Sequence, residues 1–292
     1  MVDLSIVIVN YNNRDLLREA LHSVYEQTKK LTLEIIVSDN DSKDGSIEML
    51  KEEFPQVIVL ENKANLGFIK GTNKGLKIAT GKTILLLNDD TKVLDHALEK
   101  MHDYLYSDPK IGMVGPKLVF ADGTPQRHAG LLSALHKNVD KPKKANVISG
   151  ACLMVKREVY EKIGMLDEKL FFYNDDLDWC KSCWKAGYSV MIYPDARVIH
   201  YVGSSTRKSF KPLFFVEGFR GGMYFVKKHY GELVFQLYRW VLVTGSLLIL
   251  PLVLLLTILM PKKYAMKLKA YYTIFKIALS GNIDIDVTKL TF

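Results

Sequence analysis

Cysteine is scarce, with three in 292 residues. Three thiols cannot build a disulfide framework, and an odd count without an export signal suggests a reducing compartment. The opening stretch, MVDLSIVIVNYNN, has no basic run and no long apolar run, so no export signal is expected. Neither a Walker A loop nor a GxGxxG loop occurs, nor any internal repeat or low-complexity segment. Extremes of composition are missing too. Hydrophobic residues make up 48% and charged residues 25%, with a mean hydropathy of +0.04. That balance excludes a disordered chain, a collagen-like chain and a polytopic membrane protein.

What is present first is alternation. Leu4–Val9 (LSIVIV) is a continuous β-branched run of the kind buried on both faces of a sheet. Arg14–Gln27 then places Leu17, Leu21, Val24 and Tyr25 on one helical face, with Asn12 or Asn13 as its cap. Strands are expected at Leu33–Val37, Val57–Leu60 and Thr83–Leu87, with helices at Gly45–Glu53 and Asn65–Ala79 between them. This spacing predicts βαβ units and a mostly parallel sheet flanked by helices, whose ligands sit at the carboxyl ends of the strands. Further along, Gly123–Lys144 is polar and aperiodic and reads as a loop region. Val147–Val155 and Ser189–Tyr193 read as strands. Arg157–Ile163 reads as a short helix, and Leu170–Gly187 as an acidic cluster followed by a helix that stops at Gly187.

Charge is uneven. The net charge is +8, and the stretch from Lys227 to Phe292 holds nine Lys/Arg against three Asp/Glu, so six of the eight charges lie there. A nucleic-acid binder more often carries its basic face within the folded domain, so no nucleic-acid partner is expected. Val241–Met260 is twenty residues without a charge, enough to span a bilayer as a helix, with Pro251 in its middle. Arg239 precedes it and Lys262 and Lys263 follow it, so the charge rule sets no orientation. A second apolar patch, Tyr271–Leu279, is too short to span. Basic residues beside an apolar run point to anionic lipid. Membrane attachment is expected, whether spanning, re-entrant or interfacial; the alternative is a buried core helix.

Polar clusters fall where the strands end. Asn10-Tyr11-Asn12 follows the first, Ser38-Asp39-Asn40-Asp41-Ser42 the second, and Asn88-Asp89-Asp90-Thr91 the fourth. Clustered carboxylates repel one another without a cation, and hard oxygen ligands suit Mg²⁺ or Mn²⁺. The plainer reading of Asn88–Thr91 is a solvated turn. Asp39 can accept from a base imide or a ribose hydroxyl, or can close an Asx-turn, with Asp44 and Ser46 as capping residues. Asn65-Leu66-Gly67 and Gly71-Thr72-Asn73 would let an anion approach a helix start, or simply form a loop–helix junction. In Phe171–Trp179 (FFYNDDLDW), acids lie among aromatics, a setting suited to a general base at Asp175 or Asp176. The alternative has Asp178 capping the next helix. His200, after Val198-Ile199, is a candidate metal ligand or a structural histidine. Cys180-x-x-Cys183 has no second pair, so zinc or redox use is not expected.

In order and spacing these segments resemble the family 2 glycosyltransferases, with the GT-A fold, over roughly Leu4 to Ser205. The matching pieces are SIVIVNYNN, VSDNDSKDGS, NLGFIKGTNKG, LLLNDDT, GACLMVKREVYEKIGMLDE and FFYNDDLDWC. The branch they most resemble is the bacterial rhamnosyltransferase-like enzymes of surface polysaccharide synthesis. With this resemblance a catalytic domain is expected over 1–230; the apolar segment after residue 240 lies outside the shared region, and the basic, apolar pattern there gives an expected helical membrane-associated region over 231–292. It implies that Val9, Asn10 and Tyr11 lie by the nucleotide and that Asp39 holds the base. Asn65, Gly67 and Asn73 would support the diphosphate pocket, with Asn88 and Asp89 beside the donor. Asp90 would bind the metal, Mg²⁺ or Mn²⁺, and His200 would approach it. Gly150 and Ala151 would border the sugar and acceptor, and Asp175-Asp176 would carry the catalytic base. Two departures are Asn88 at the first position of the DxD-type motif and Asp rather than Glu at 175.

The reaction so implied is inverting transfer of a sugar from a nucleoside-diphosphate donor, dTDP-rhamnose or a UDP-sugar, to a glycan or lipid-linked acceptor. Its place would be the cytoplasmic face of the cell membrane. The rivals are a sugar nucleotidyltransferase, which usually carries a basic Gly-rich loop where Asn10–Asn13 stands, and a non-catalytic nucleotide-sugar-binding scaffold.

Overall fold

The computed structural model describes residues 1–128, 139–201 and 211–291. Part of the polar stretch Gly123–Lys144, and Ser205 at the end of the resembling region, lie outside the described residues. The chain forms two compact units, one of residues 1–167 with 176–205, the other of residues 168–175 with 206–292.

The first unit is built on a nine-stranded mixed sheet. Its strands are β1 (Leu4–Asn10), β2 (Leu33–Asp39), β3 (Ile58–Glu61), β4 (Thr83–Asn88), β5 (Thr91–Leu94), β6 (Ile111–Val119), β7 (Lys143–Lys144), β8 (Cys152–Lys156) and β9 (Ser189–His200). The order is β3-β2-β1-β4-β8-β6-β9-β5, with β7 on β9. Strands β1 to β4 run parallel, and β8 lies antiparallel between β4 and β6. Helices α1 (Arg14–Gln27), α2 (Ser46–Glu53), α3 (Gly67–Ile78), α4 (Ala97–Tyr106), α5 (Arg157–Ile163) and α6 (Asp175–Lys185) complete the α/β arrangement. Every residue of β1 but Val9 is buried, as expected of a central strand whose side chains meet protein on both faces. The core joins Leu4, Ile6 and Ile8 of β1 to Leu17, Leu21 and Val24 of α1 and to Leu98, Met101 and Leu105 of α4.

The expected elements up to Leu87 are all present, with ends moved by a residue or two. Three corrections concern the middle. Strand β5, helix α4 and strand β6 occupy residues 91–119, where no element was expected. Val147–Val155 is a strand from Cys152 onward, because a turn closes at Cys152 N–H to Ser149 O and the Ile148 N–H goes to the Cys180 sulfur at 3.4 Å. The strand expected to stop at Tyr193 runs on to His200. Proline cannot donate to a ladder, so Pro194 reads as a stop. Instead β6 pairs Pro116 with Tyr193 and Lys117 with Arg197, so 194–196 bulge out and the pairing resumes.

In the second unit, α7 spans Pro212–Leu259 and breaks at Gly231, whose φ of 84° and ψ of −178° are not helical. Helix α8 (Pro261–Ser280) follows. Val216, Met223, Phe235, Val243, Ala270, Ile274 and Ile277 form a separate core. Val241–Met260 is thus the second half of α7 rather than a free-standing helix. It is long and apolar enough to cross a membrane, and 17% of its most apolar stretch is buried. Leu247, Leu248, Leu252, Leu255 and Ile258 are exposed there, which argues against a buried core helix.

Candidate active site

Parallel pairing fixes which residues share the rim. In register, Asn10 is level with Asp39, and Val9 with Asn88. The loops that follow are tied to each other by side chains. Asp39 is fully buried, and its two carboxylate oxygens accept from Asn10 Nδ2 at 2.7 Å and from the Ser42 N–H at 2.8 Å. Ser42 Oγ accepts from Asn10 Nδ2 at 3.1 Å and from the Asn12 N–H at 2.9 Å, and Asn12 Oδ1 accepts the Lys43 N–H at 2.7 Å. The expected cap of α1 comes from outside the helix. Asn13 sits at the cap position but its side chain makes no capping bond to the helix, while Asp44 accepts the Arg14 N–H at 2.8 Å as well as the Ser46 N–H at 3.1 Å. Asn10 Oδ1 is buried without a hydrogen-bond partner among the described residues, so the loop after β1 retains an unused acceptor there. Tyr11 is half exposed beside it.

The fourth strand delivers the acids. The Asp89 carboxylate accepts from the Tyr11 N–H and the Asn13 side chain. Burial, and then the neighbouring Asp90 charge, push it up to about 7. Asp90, 8% exposed, meets the far side of the sheet. His200 is level with Thr91 across the β5–β9 pair, and the Tyr201 N–H donates to Asp90 O at 2.9 Å. This pairing sets His200 Nε2 3.2 Å from Asp90 Oδ1 and 3.4 Å from Asn88 Nδ2. The bulge at 194–196 takes up three residues of β9 and so shifts the register that places His200 here. Gln126 Nε2 holds the His200 carbonyl and that of Val119. Neither Gln126 nor Asn13 as a partner of Asp89 was legible in sequence, since each acts across strands far apart in the chain. Ala151 O accepts the Asn88 N–H at 3.0 Å, which brings Ala151 to the same rim.

A carboxylate and an imidazole on adjacent strands fit a divalent cation of the Mn²⁺ kind, with substrate phosphate oxygens completing the shell. Among the described residues no three His, Cys, Asp or Glu side chains gather as a complete protein cage. Cys180 and Cys183 are buried free thiols, and burial pushes Cys183 up to about 12.

Other expected residues take scaffolding contacts. Asn65 Oδ1 accepts the Gly67 N–H at 2.9 Å, and Gly67 O accepts from Asn40 Nδ2 at 3.1 Å. Gly67 has φ 76°, a conformation glycine adopts without penalty. Asn73 is 2% exposed and clamps Leu166, donating to its carbonyl at 2.9 Å and accepting its N–H at 3.1 Å. Gly150 stands 3.5 Å from the Phe68 ring, measured from where a Cβ would be. Asp175 opens α6 and is 8% exposed; Asp176 is half-buried, with Oδ1 2.7 Å from the Leu177 N–H. Carboxylates in a first helical turn are stabilised in their charged form. Asp178 lies inside the helix and does not cap it.

The mixed sheet with its flanking helices is the GT-A architecture. The sequence matches the model of glycosyl transferase family 2 over residues 5–164, more than half of the chain, and the protein belongs to that family. It is 26% identical over 212 residues to a dTDP-rhamnosyl transferase of Shigella flexneri, covering 69% of this chain and 70% of the relative. It is 25% identical over 238 residues to an N-acetylglucosaminyl-diphospho-decaprenol L-rhamnosyltransferase of Mycobacterium tuberculosis, covering 70% and 77%. Among solved structures, a mannosyltransferase from Pyrobaculum calidifontis in complex with GDP-Man and Mn²⁺ matches with a TM-score of 0.60 at 17% identity, over 97% of this chain and 90% of that one. The protein is therefore a rhamnosyltransferase-like family 2 glycosyltransferase with the GT-A fold.

Proposed function

We propose that the protein is a metal-dependent, inverting glycosyltransferase. It moves a sugar, rhamnose being the first to test, from a dTDP- or UDP-linked donor to a lipid-linked or polysaccharide acceptor at the cytoplasmic face of the membrane. The observation that carries this is the 3.2 Å approach of His200 to Asp90 at the rim where β1, β2 and β4 end. The acceptor reading rests on the rhamnosyl relatives and on the exposed apolar second half of α7.

Asp90 and His200 would hold Mg²⁺ or Mn²⁺, which when bound supplies charge neutralisation for the leaving diphosphate. Asn10, Tyr11 and the Asp39 loop bind the nucleoside, the free Asn10 Oδ1 offering an acceptor to a base or ribose donor. Val9, Asn65, Gly67 and Asn73 support that pocket, Asn88 and Asp89 flank the donor, and Gly150 and Ala151 border the sugar. Asp176, with Asp175 beside it, takes the proton of the acceptor hydroxyl. The acceptor oxygen bonds to the anomeric carbon as the bond from that carbon to the diphosphate oxygen breaks, and inversion follows from attack opposite the leaving group.

The test is nucleoside-diphosphate release from dTDP-rhamnose and from UDP-sugars, with Mn²⁺ and then with chelator. Chelator-sensitive dTDP or UDP release supports the proposal. Pyrophosphate release from a nucleoside triphosphate supplied with a sugar 1-phosphate would instead identify a nucleotidyltransferase, and no release from any of these substrates would favour a scaffold. Asp90→Ala should weaken Mn²⁺-dependent donor binding in calorimetry, and undiminished binding would contradict its assignment. Asp176→Asn should lower turnover by about 10²–10⁴-fold with donor binding kept.

A further inference from the structure

Within the second unit, Glu217 and Arg220 form an ion pair at 2.6 Å with side-chain exposures of 0% and 3%. Two charges taken out of water are costly unless further hydrogen bonds satisfy them. Here those bonds go to one short stretch of chain. Glu217 Oε1 accepts the Phe171 N–H at 2.9 Å, and Arg220 Nη2 donates to Lys169 O at 2.7 Å. Arg220 Nη1 reaches Ile283 O, beyond α8, at 2.8 Å. The same turns of α7 make two more contacts with that stretch. Asn174 Nδ2 donates to Gly218 O at 3.2 Å, and Phe214 stacks on Phe172 with ring centroids 4.4 Å apart. Gly221 permits the approach: a Cβ there would stand 2.8 Å from Asn174 Nδ2.

The stretch so held is strained. Tyr173 and Asn174 are consecutive non-glycine residues with φ of 63° and 62°. Such pairs persist where their surroundings over-determine them. Asp175 and Asp176 follow directly and open α6. We infer that Glu217 and Arg220 are positioning residues: the start of α7 holds Lys169–Asn174 in the strained turn that sets where Asp176 is presented. The inference rests on the proposed role of Asp176 as base. It gives the C-terminal region a task beyond membrane attachment.

The test uses the full chain in detergent, dTDP-rhamnose with Mn²⁺, and water as acceptor, read as dTDP release; if dTDP-rhamnose is not turned over, the UDP-sugar that is takes its place. Arg220→Lys keeps the buried charge but loses the fork. Asn174→Gly deletes the bond to Gly218 while tolerating the left-handed φ, so it keeps the fold if Arg220→Lys does not. Each is also combined with Asp176→Asn. Each single variant should lower kcat by about 10- to 100-fold, with donor KM and Mn²⁺-dTDP binding unchanged. Neither should lower kcat further in the Asp176→Asn background, because both act through that carboxylate. Wild-type kcat in Arg220→Lys and Asn174→Gly, or a full additional loss on top of Asp176→Asn, would overturn the positioning role while leaving the base in place. Wild-type turnover by Asp176→Asn alone would overturn the base reading and this inference with it.

Discussion

Asp39→Asn isolates the part of the site that is fully enclosed. Asp39 spends one oxygen on the Ser42 N–H at 2.8 Å and the other on Asn10 Nδ2 at 2.7 Å. The Ser42 N–H is fixed by the backbone, so the new amide must keep its oxygen there and turn its NH₂ toward Asn10. Two donors then face each other unless the Asn10 amide turns over. That turn would bring Asn10 Oδ1, which has no hydrogen-bond partner among the described residues, to the new NH₂. It would also withdraw Nδ2 from Ser42 Oγ, now 3.1 Å away. Two charge-assisted bonds are weakened and one neutral bond is lost, at a cost of about 1–3 kcal/mol. At roughly 2–4 °C per kcal/mol, thermal unfolding of the variant should fall by about 2–12 °C. Because turnover of Asn10 consumes the acceptor proposed to face the nucleoside, the stabilisation conferred by dTDP or UDP with Mn²⁺ should shrink as well. The assay is thermal unfolding of wild type and variant with and without those nucleotides. An unchanged midpoint together with an unchanged nucleotide shift would refute the account of Asp39.

Three further outcomes are expected. Burial acts against ionisation of Asp44, yet bonds from the Ser46 hydroxyl and the Arg14 and Ser46 N–H groups outweigh it and hold its carboxyl below the usual range. Its contribution is therefore present above the unfolded carboxylate value, near 4, and lost as pH falls through its lower folded value; the gap in urea midpoint between wild type and Asp44→Asn should close on acidification, and a gap that widens would be inconsistent with this. A Cβ on Gly115 would lie 2.2 Å from Ile148 Cγ2 in a closed core, so Gly115→Ala should destabilise by about 1–3 kcal/mol or more in denaturant unfolding; a neutral result would show that the turn before β8 yields freely. Cys152, Cys180 and Cys183 are buried, and burial raises the first and last of them, so the native chain should resist thiol reagents until unfolded; rapid labelling without denaturant would contradict that burial.

Much of the catalytic scaffold was readable in the linear pattern. The continuous apolar runs at Leu4–Val9 and Thr83–Leu87 mark β1 and β4 because a strand buried on both faces has no polar alternation to confuse it. Residues 91–119 were not readable, because β5 is four residues long and begins inside the acidic motif itself. Val198-Ile199 read as strand-like, but its continuity with Ser189–Tyr193 across Pro194 was not legible, because the missing N–H is accommodated by a bulge that pairing with β6 alone reveals. Nothing in the chain around Glu217 and Arg220 shows that both are buried against Lys169 and Phe171.

The amino-acid sequence by itself determined the order of strands and helices through the first half of the sheet and the placing of polar clusters at strand ends, since hydrophobic periodicity and local turn chemistry act between near neighbours. Tertiary structure alone decided which clusters meet. Asp90 and His200 are 110 residues apart, and hydrogen-bonded pairing of β5 with β9, past a three-residue bulge, brings them within 3.2 Å.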